Sequence, residues 1–192
     1  MASIGKFQPE PGWTPFISST YRANEKCTVS PPIIRTWDIR GERFTLESRF
    51  VVTGFLGSGA FGQVCAAFDK LQDCTVAIKK CKQVFRSRTV AKRTLREIRF
   101  LRLLNHENIV RLQTVLDPVD RQDFNDVYFV LDLLESDLAM VIRSDQDLQL
   151  EHIQYFSLQI LMGLQYLHSL SIIHRDIKYA IVYYSPFAYC TL

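Results

Sequence analysis

Three glycines and a lysine are the first residues in this chain whose types and spacing could do chemistry. Gly57, Gly59 and Gly62, spaced G-x-G-x-x-G, interrupt an apolar run that begins at Phe50, and Val64 to Phe68 resumes it. Glycines so spaced let a backbone approach a ligand with no Cβ in the way. The amide N–H groups of such a turn favour an anion, phosphate being the usual one. Lys79 closes a further apolar run, Thr75 to Ile78, and would bring a mobile ammonium to the same place. The glycine spacing alone also opens dinucleotide-binding folds and occurs in ordinary hairpins. A dinucleotide fold needs a helix directly after its third glycine. Here a strand, the polar turn Leu71 to Cys74 and a second strand follow.

The elements that must position these residues read as a sheet with one helix. Phe44 to Leu56 enters the first strand. Thr89 to Leu104 carries Leu95, Ile98, Leu101 and Leu104 at helical spacing, with Arg93, Arg96, Arg99 and Arg102 among them as a mostly solvated face. Glu97 is the only acid in that helix, either a surface partner for a neighbouring arginine or a carboxylate for Lys79. Ile109 to Leu116 and Val127 to Leu133 read as two more strands, which makes a five-stranded antiparallel sheet. Glu151 to Ser169 is predicted to be a long helix. Ile153, Phe156, Ile160, Leu164 and Leu167 fall on one side, and Tyr155, Leu158, Met162 and Tyr166 on others, so it belongs inside a larger body.

Composition bounds the alternatives. The 192 residues suit one ordinary domain, or one domain with a tail, and 47% apolar residues suffice for a core. A net charge of +3 with both signs distributed along the chain carries no nucleic-acid footprint. Five cysteines without a C-x-x-C pair argue for reduced thiols rather than a disulfide framework or zinc site. No apolar stretch has signal-peptide or membrane-span length, and residue 2 is Ala2 rather than the glycine that myristoylation needs. The expectation is a cytoplasmic or nuclear protein with no membrane and no nucleic-acid partner. Residues 1–43, which contain Pro9, Pro11, Pro15, Pro31 and Pro32, are predicted to be a flexible leader, with Trp13 and Trp37 loosely ordered within it.

A glycine hairpin followed by a strand-borne Val76-Ala77-Ile78-Lys79, and later by Ile172-Ile173-His174-Arg175-Asp176-Ile177-Lys178, resembles the eukaryotic protein kinases over residues 50 to 178. Finer matches resemble the mitogen-activated type, with cyclin-dependent kinases next. They are Arg96-Glu97 placed eleven residues after Phe85, Thr94-Leu95-Arg96-Glu97-Ile98, the connector Leu134-Glu135-Ser136-Asp137-Leu138, and the run Gln159 to Ser169. The resemblance implies an α+β, protein-kinase-like fold. Residues 44–135 would be the N-lobe and hinge, 136–178 a partial helical C-lobe through the catalytic loop, and 179–192 a divergent tail.

The same resemblance implies ATP-dependent phosphorylation of protein serine or threonine, with upstream kinases as further partners. Asp176 would be the carboxylate that takes the hydroxyl proton, Lys178 would stabilise the transferring phosphate, and Glu97 would hold Lys79 on the nucleotide phosphates. ATP would be held by Leu56, Gly57, Ser58, Gly59, Ala60, Phe61, Gly62, Gln63, Val64, Ala77, Lys79, Leu131, Asp132, Leu134 and Asp137.

The chain also departs from the pattern. Tyr179 and Ile181 stand where the family has a proline and a metal-binding asparagine, and no Asp-Phe-Gly follows before Leu192. Mg2+ is therefore implied by the family while its protein ligands are absent, and no metal ligand is assigned. The expectation is an inactive or very weak catalyst. The alternatives are a non-catalytic ATP-binding or decoy module that competes for kinase partners, and an unstable fragment arising from a splice junction or gene model.

Overall fold

In the computed structural model, the structure describes residues 33–59, 62–119, 124–134, 136–145, 147–178, 183–185 and 188–191. Expectations for Trp13, Ala60, Phe61, Glu135, Tyr179 and Ile181 lie outside the described residues. The leading strands are β1 (Ile34–Ile39), β2 (Glu42–Glu47), β3 (Phe50–Gly59), β4 (Gly62–Asp69) and β5 (Cys74–Cys81). A short 3-10 turn (Val84–Arg86) leads into helix α1 (Arg88–Leu103), which is followed by β6 (Leu112–Val115) and β7 (Val127–Asp132). Beyond them come β8 (Ser136–Asp137), α2 (Leu138–Arg143), α3 (Leu150–Ser169), β9 (Tyr183–Ser185) and β10 (Ala188–Thr191).

The expected five-stranded sheet is present, in the order β3-β4-β5-β7-β6, with every pair antiparallel. Strand register sorts its side chains into two faces. Val64 pairs with Lys79 and Lys79 with Phe129, while Ala66 pairs with Ala77 and Ala77 with Leu131, so these residues share one face. Cys65, Ile78 and Val130 form the alternate row on the other face, and all three are buried. Helix α1 packs Ile98 and Leu101 near Phe129 on the first face. Ser87 starts that helix by accepting a hydrogen bond from the Val90 amide at 3.2 Å, a serine N-cap.

The second face corrects the last part of the expected flexible leader, because residues 34–47 form a β1–β2 hairpin. Arg40 and Gly41 both have positive φ (52° and 78°), as a two-residue mirror-image turn requires, and the Asp38 carboxylate accepts from the Gly41 amide at 3.2 Å. Phe44 and Leu46 of this hairpin are completely or almost completely buried against Cys65, Ala67, Val76, Ile78 and Val130. Trp37 is not a loose aromatic, since it packs partly buried against that cluster. The prolines before residue 33 mask a short hydrophobic alternation, Trp37-x-Ile39 and Phe44-x-Leu46, whose turn is Arg40-Gly41. Lys82 forms an ion pair with Glu42, and the Tyr128 hydroxyl accepts from the Thr45 amide at 3.3 Å, so the hairpin is held at its edge as well as its core.

Helix α3 occupies the span expected from sequence and builds a second cluster with Ile109, in which Leu167 is buried and Phe156, Ile160, Leu164 and Tyr166 are partly buried. The segment between α1 and β6 is keyed to it. Asn108 Nδ2 donates to Gln159 Oε1 at 2.5 Å, His106 stacks on Tyr166 at 4.7 Å, and the Tyr166 hydroxyl accepts from the Asn105 amide. Leu150, Ile153, Leu158 and Leu161 on other faces of α3 are more than half exposed, in keeping with a helix apolar beyond one stripe. Ile153, expected on the main apolar side, is among the exposed residues, whereas Tyr166 joins the packed cluster.

Candidate functional site

The glycine turn closes the β3–β4 hairpin, where Gly59 pairs with Gly62. Its three glycines are not equivalent. Gly62 has φ +135°, and a Cβ added there would meet the Lys80 carbonyl oxygen of the neighbouring strand at 2.2 Å. This glycine is demanded by the protein's own backbone. A Cβ at Gly57 or Gly59 would meet nothing within 4 Å, so the space beside those two is open to a ligand.

Strand alternation separates two adjacent lysines. Lys79 lies on the α1 face, where Glu97 Oε1 accepts from its Nζ and the Phe129 ring lies 5.8 Å from the ammonium. The pair is mostly enclosed, with side-chain exposures of 17% and 34%. Lys80 points to the other face. Its Nζ donates to the Arg43 carbonyl oxygen at 2.6 Å and lies 3.0 Å from Asp126 Oδ2, so it fastens β5 to the N-terminal hairpin. Of the two possibilities open for Glu97, partner of a neighbouring arginine or partner of Lys79, the fold has the second. A cavity of about 530 Å³ lies between the turn and α1, bordered by Ser58, Gly59, Gly62, Thr94 and Glu97.

The remaining residues expected around a nucleotide fall in three places. Val64, Ala77 and Leu131 share the Lys79 face, with Ala77 buried. Gln63 falls in the opposite row, buried beside Lys80, while Leu56 and Ser58 are exposed. On the connector, the Asp132 carboxylate accepts from Gln113 Nε2 at 2.8 Å, and Leu134 is partly buried. Asp137 caps α2 by accepting from the Met140 amide at 2.7 Å. The connector is also paired to the chain's far end, because β8 runs antiparallel to β9 with Asp137 opposite Tyr183.

A second group forms around Asp176. Lys178 Nζ donates to Asp176 Oδ2 at 3.0 Å, and the Asp176 amide donates to His174 Nδ1 at 3.3 Å. Arg175 between them has φ +70°, which turns the loop so that the flanking residues meet. Asp176 and Lys178 are well exposed, at 65% and 51%, so each remains accessible to a reactant. Burial pushes the His174 imidazole below its ordinary range, and the Asp176 carboxylate opposes that shift.

Sequence reasoning missed Phe129 beneath Lys79 and the anchoring of Lys80. The alternation of β5 and β7 contains both, but only the register between the strands reveals them. The arrangement offers a mobile ammonium held by a carboxylate beside an open backbone turn, and separately an exposed carboxylate with its own lysine. The first suits an anionic ligand, and the second suits proton removal beside a negative group.

Residues 50–184 match the family model described as "Protein kinase domain". The match runs past residue 178, so residues 179–184, expected in a divergent tail, fall within it. The chain is 45% identical over 135 residues to Mitogen-activated protein kinase 4 of Oryza sativa subsp. japonica, covering 70% of this chain and 37% of that protein. It is 49% identical over 123 residues to Mitogen-activated protein kinase 4a of Physcomitrium patens, covering 64% and 33%. With Mitogen-activated protein kinase 5 of Arabidopsis thaliana it shares 44% over 143 residues, covering 74% and 38%. The chain thus spans little more than a third of the length of these relatives.

Proposed function

The chain belongs to the protein kinase family, in its mitogen-activated type, and on that premise we propose that the glycine turn, Lys79 and Glu97 hold the phosphates of ATP. The observation that carries this reading is the Lys79–Glu97 ion pair on the same sheet face as Val64, Ala77 and Leu131, next to a turn with open space at Gly57 and Gly59. Glu97 sets the ammonium in place, and the apolar floor suits a purine ring. The connector at Asp132 and Leu134 offers backbone groups to that ring, and Asp137 stands by the ribose.

The reaction proposed for these residues is phosphoryl transfer from ATP to a serine or threonine hydroxyl of a protein. Asp176 accepts the hydroxyl proton as the oxygen attacks the terminal phosphorus, the bond from that phosphorus to its bridging oxygen breaks and ADP leaves, and Lys178 balances charge on the phosphate oxygens. The Asp176–Lys178 hydrogen bond orients the carboxylate for that role. Protein substrates and upstream kinases are the partners this reading brings.

Magnesium does not fit the donor set. Ile181, where the family has a metal-binding asparagine, offers no oxygen to a hard cation. The Asp176 carboxylate is engaged by a cation already. Among the described residues no three His, Cys, Asp or Glu side chains are grouped to hold a metal. This departure favours a second reading, a module that binds nucleotide and turns it over slowly. Metal stabilisation of a phosphoryl-transfer transition state is worth several kcal/mol, and each ~1.4 kcal/mol is a factor of ten in rate.

A thermal melt of the full chain with and without ATP tests nucleotide binding. At a hundredfold excess of ATP over its Kd the expected stabilisation is about 2.7 kcal/mol, or roughly 5 to 10 °C for a chain of this size. Lys79→Met should abolish that rise. A parent chain whose melt ATP leaves unmoved would overturn the proposal. Phosphotransfer to a generic protein acceptor separates the two readings, and Ile181→Asn should raise it in the presence of Mg2+ if the missing oxygen is what slows turnover.

A further inference from the structure

Helix α1 presents two unlike faces. Inward lie buried Thr94, partly buried Ile98 and Leu101, and Glu97 in its pair with Lys79. At 3.6 residues per turn, Arg88, Lys92, Leu95, Arg99 and Leu103 share the opposite face. All five are exposed, Leu103 at 73% and Leu95 at 44%.

The charge on this helix is not balanced within the helix itself. Its sixteen residues carry six arginines and lysines and a single acid, and that acid is turned inward on Lys79. Arg88–Lys92 and Lys92–Arg96 are like charges at i,i+4, and Arg96–Arg99 and Arg99–Arg102 at i,i+3, each of which destabilises a helix standing alone. Among the described residues no carboxylate forms an ion pair with Arg88, Lys92, Arg96 or Arg99. The whole chain is only +3, less than the excess on this helix, so the surplus is local.

We propose that the outward face of α1 docks an acidic, leucine-bearing helical segment of a partner protein. The chemistry of the stripe selects this occupant. Arg88, Lys92 and Arg99 offer side chains to carboxylates, while Leu95 and Leu103, two helical turns and ~12 Å apart, offer two apolar seats. A partner helix with acids flanking leucines spaced by four satisfies both. A membrane surface or a nucleic acid would draw on a broader basic area and on aromatic side chains, and this stripe is one helix wide with leucines as its only apolar members.

Fluorescence anisotropy on the full 192-residue chain tests this with a labelled helical peptide of glutamates carrying a leucine at every fourth position, beside polyglutamate of equal charge. The leucine–glutamate peptide should bind at least tenfold more tightly than polyglutamate. Leu103→Ser, at a position too exposed to affect folding, should weaken it by several-fold, and Leu95→Ser/Leu103→Ser by tenfold or more. Arg88→Glu/Arg99→Glu should lose that peptide and gain binding to a lysine–leucine counterpart, which shows that the variant is folded and that the face has been inverted. Equal affinity for polyglutamate, no binding by the parent chain, indifference to Leu103→Ser, or stronger retention on anionic vesicles or single-stranded DNA would each overturn the proposal.

Discussion

Replacing the glycines of the turn one at a time should separate protein architecture from ligand binding. Gly62→Ala places a methyl group 2.2 Å from the Lys80 carbonyl oxygen, in a backbone conformation with φ +135° that alanine rarely adopts. The oxygen belongs to the backbone of β5, whose Lys80 pairs with Gln63 of β4, so it cannot swing aside without opening the sheet. Backbone strain of this kind costs about 1 to 3 kcal/mol, and relieving the overlap adds an overpacking cost of similar size. A loss of about 3 kcal/mol corresponds to a drop of roughly 6 to 12 °C in Tm for a chain of this length. Gly57→Ala and Gly59→Ala meet nothing within 4 Å, so their stability should stay within about 0.5 kcal/mol of the parent. Their added methyls enter the space assigned to phosphate, and ATP affinity should fall in both. Urea denaturation reads the first effect and the ATP-dependent rise in Tm reads the second. Gly62→Ala as stable as the parent would refute the contact argument, and Gly59→Ala as damaging to stability as Gly62→Ala would refute the division of roles.

Three further outcomes follow from burial and charge. Phe44→Ala removes a fully buried ring from the face opposite Lys79 and should cost about 3 to 5 kcal/mol, seen as a lower urea midpoint; an unchanged midpoint would mean that the hairpin contributes nothing to the fold. The His174 imidazole is held below its ordinary 6.5 by burial, against the pull of Asp176, so the unfolded chain takes up its proton first. Stability should therefore be level above about pH 6.5 and decline as pH falls through the folded value, with a shallower decline in His174→Gln; an NMR titration midpoint for His174 above 6.5 would contradict the sign. Burial pushes the Cys65 thiol up to about 12, which leaves roughly one thiolate in ten thousand at pH 8. Iodoacetamide should reach Cys65 only after unfolding, and rapid native labelling there would be inconsistent with its burial.

The legible parts of this molecule are those whose signals are short in range. Three-residue apolar spacing predicted a helix over 89–104, and α1 runs Arg88–Leu103. The glycine spacing and the strand ending at Lys79 marked the hairpin and the cation. The residues alone left Glu97 between a neighbouring arginine and Lys79, the kinase resemblance implied Lys79, and the fold joins the two. The N-terminal hairpin was not legible, because its alternation at Trp37, Ile39, Phe44 and Leu46 is short and follows directly on a proline-rich stretch. The surface those residues cover does not exist until β4, β5 and β7 have paired.

From the sequence come the identities of the groups, their local conformations and the family to which Lys79, Glu97, Asp176 and Lys178 point, since periodicity and motif spacing are written in neighbouring residues. Tertiary structure alone decided which lysine of the Lys79–Lys80 pair faces Glu97 and which is tied to Arg43 and Asp126. It also decided that Gly62 answers to the protein backbone while Gly57 and Glu97 border open space. Both outcomes depend on strand register, and a shift of one residue would send every side chain of β5 to the opposite face. Register is set by the summed packing of strands distant in the chain, which no local stretch of residues contains.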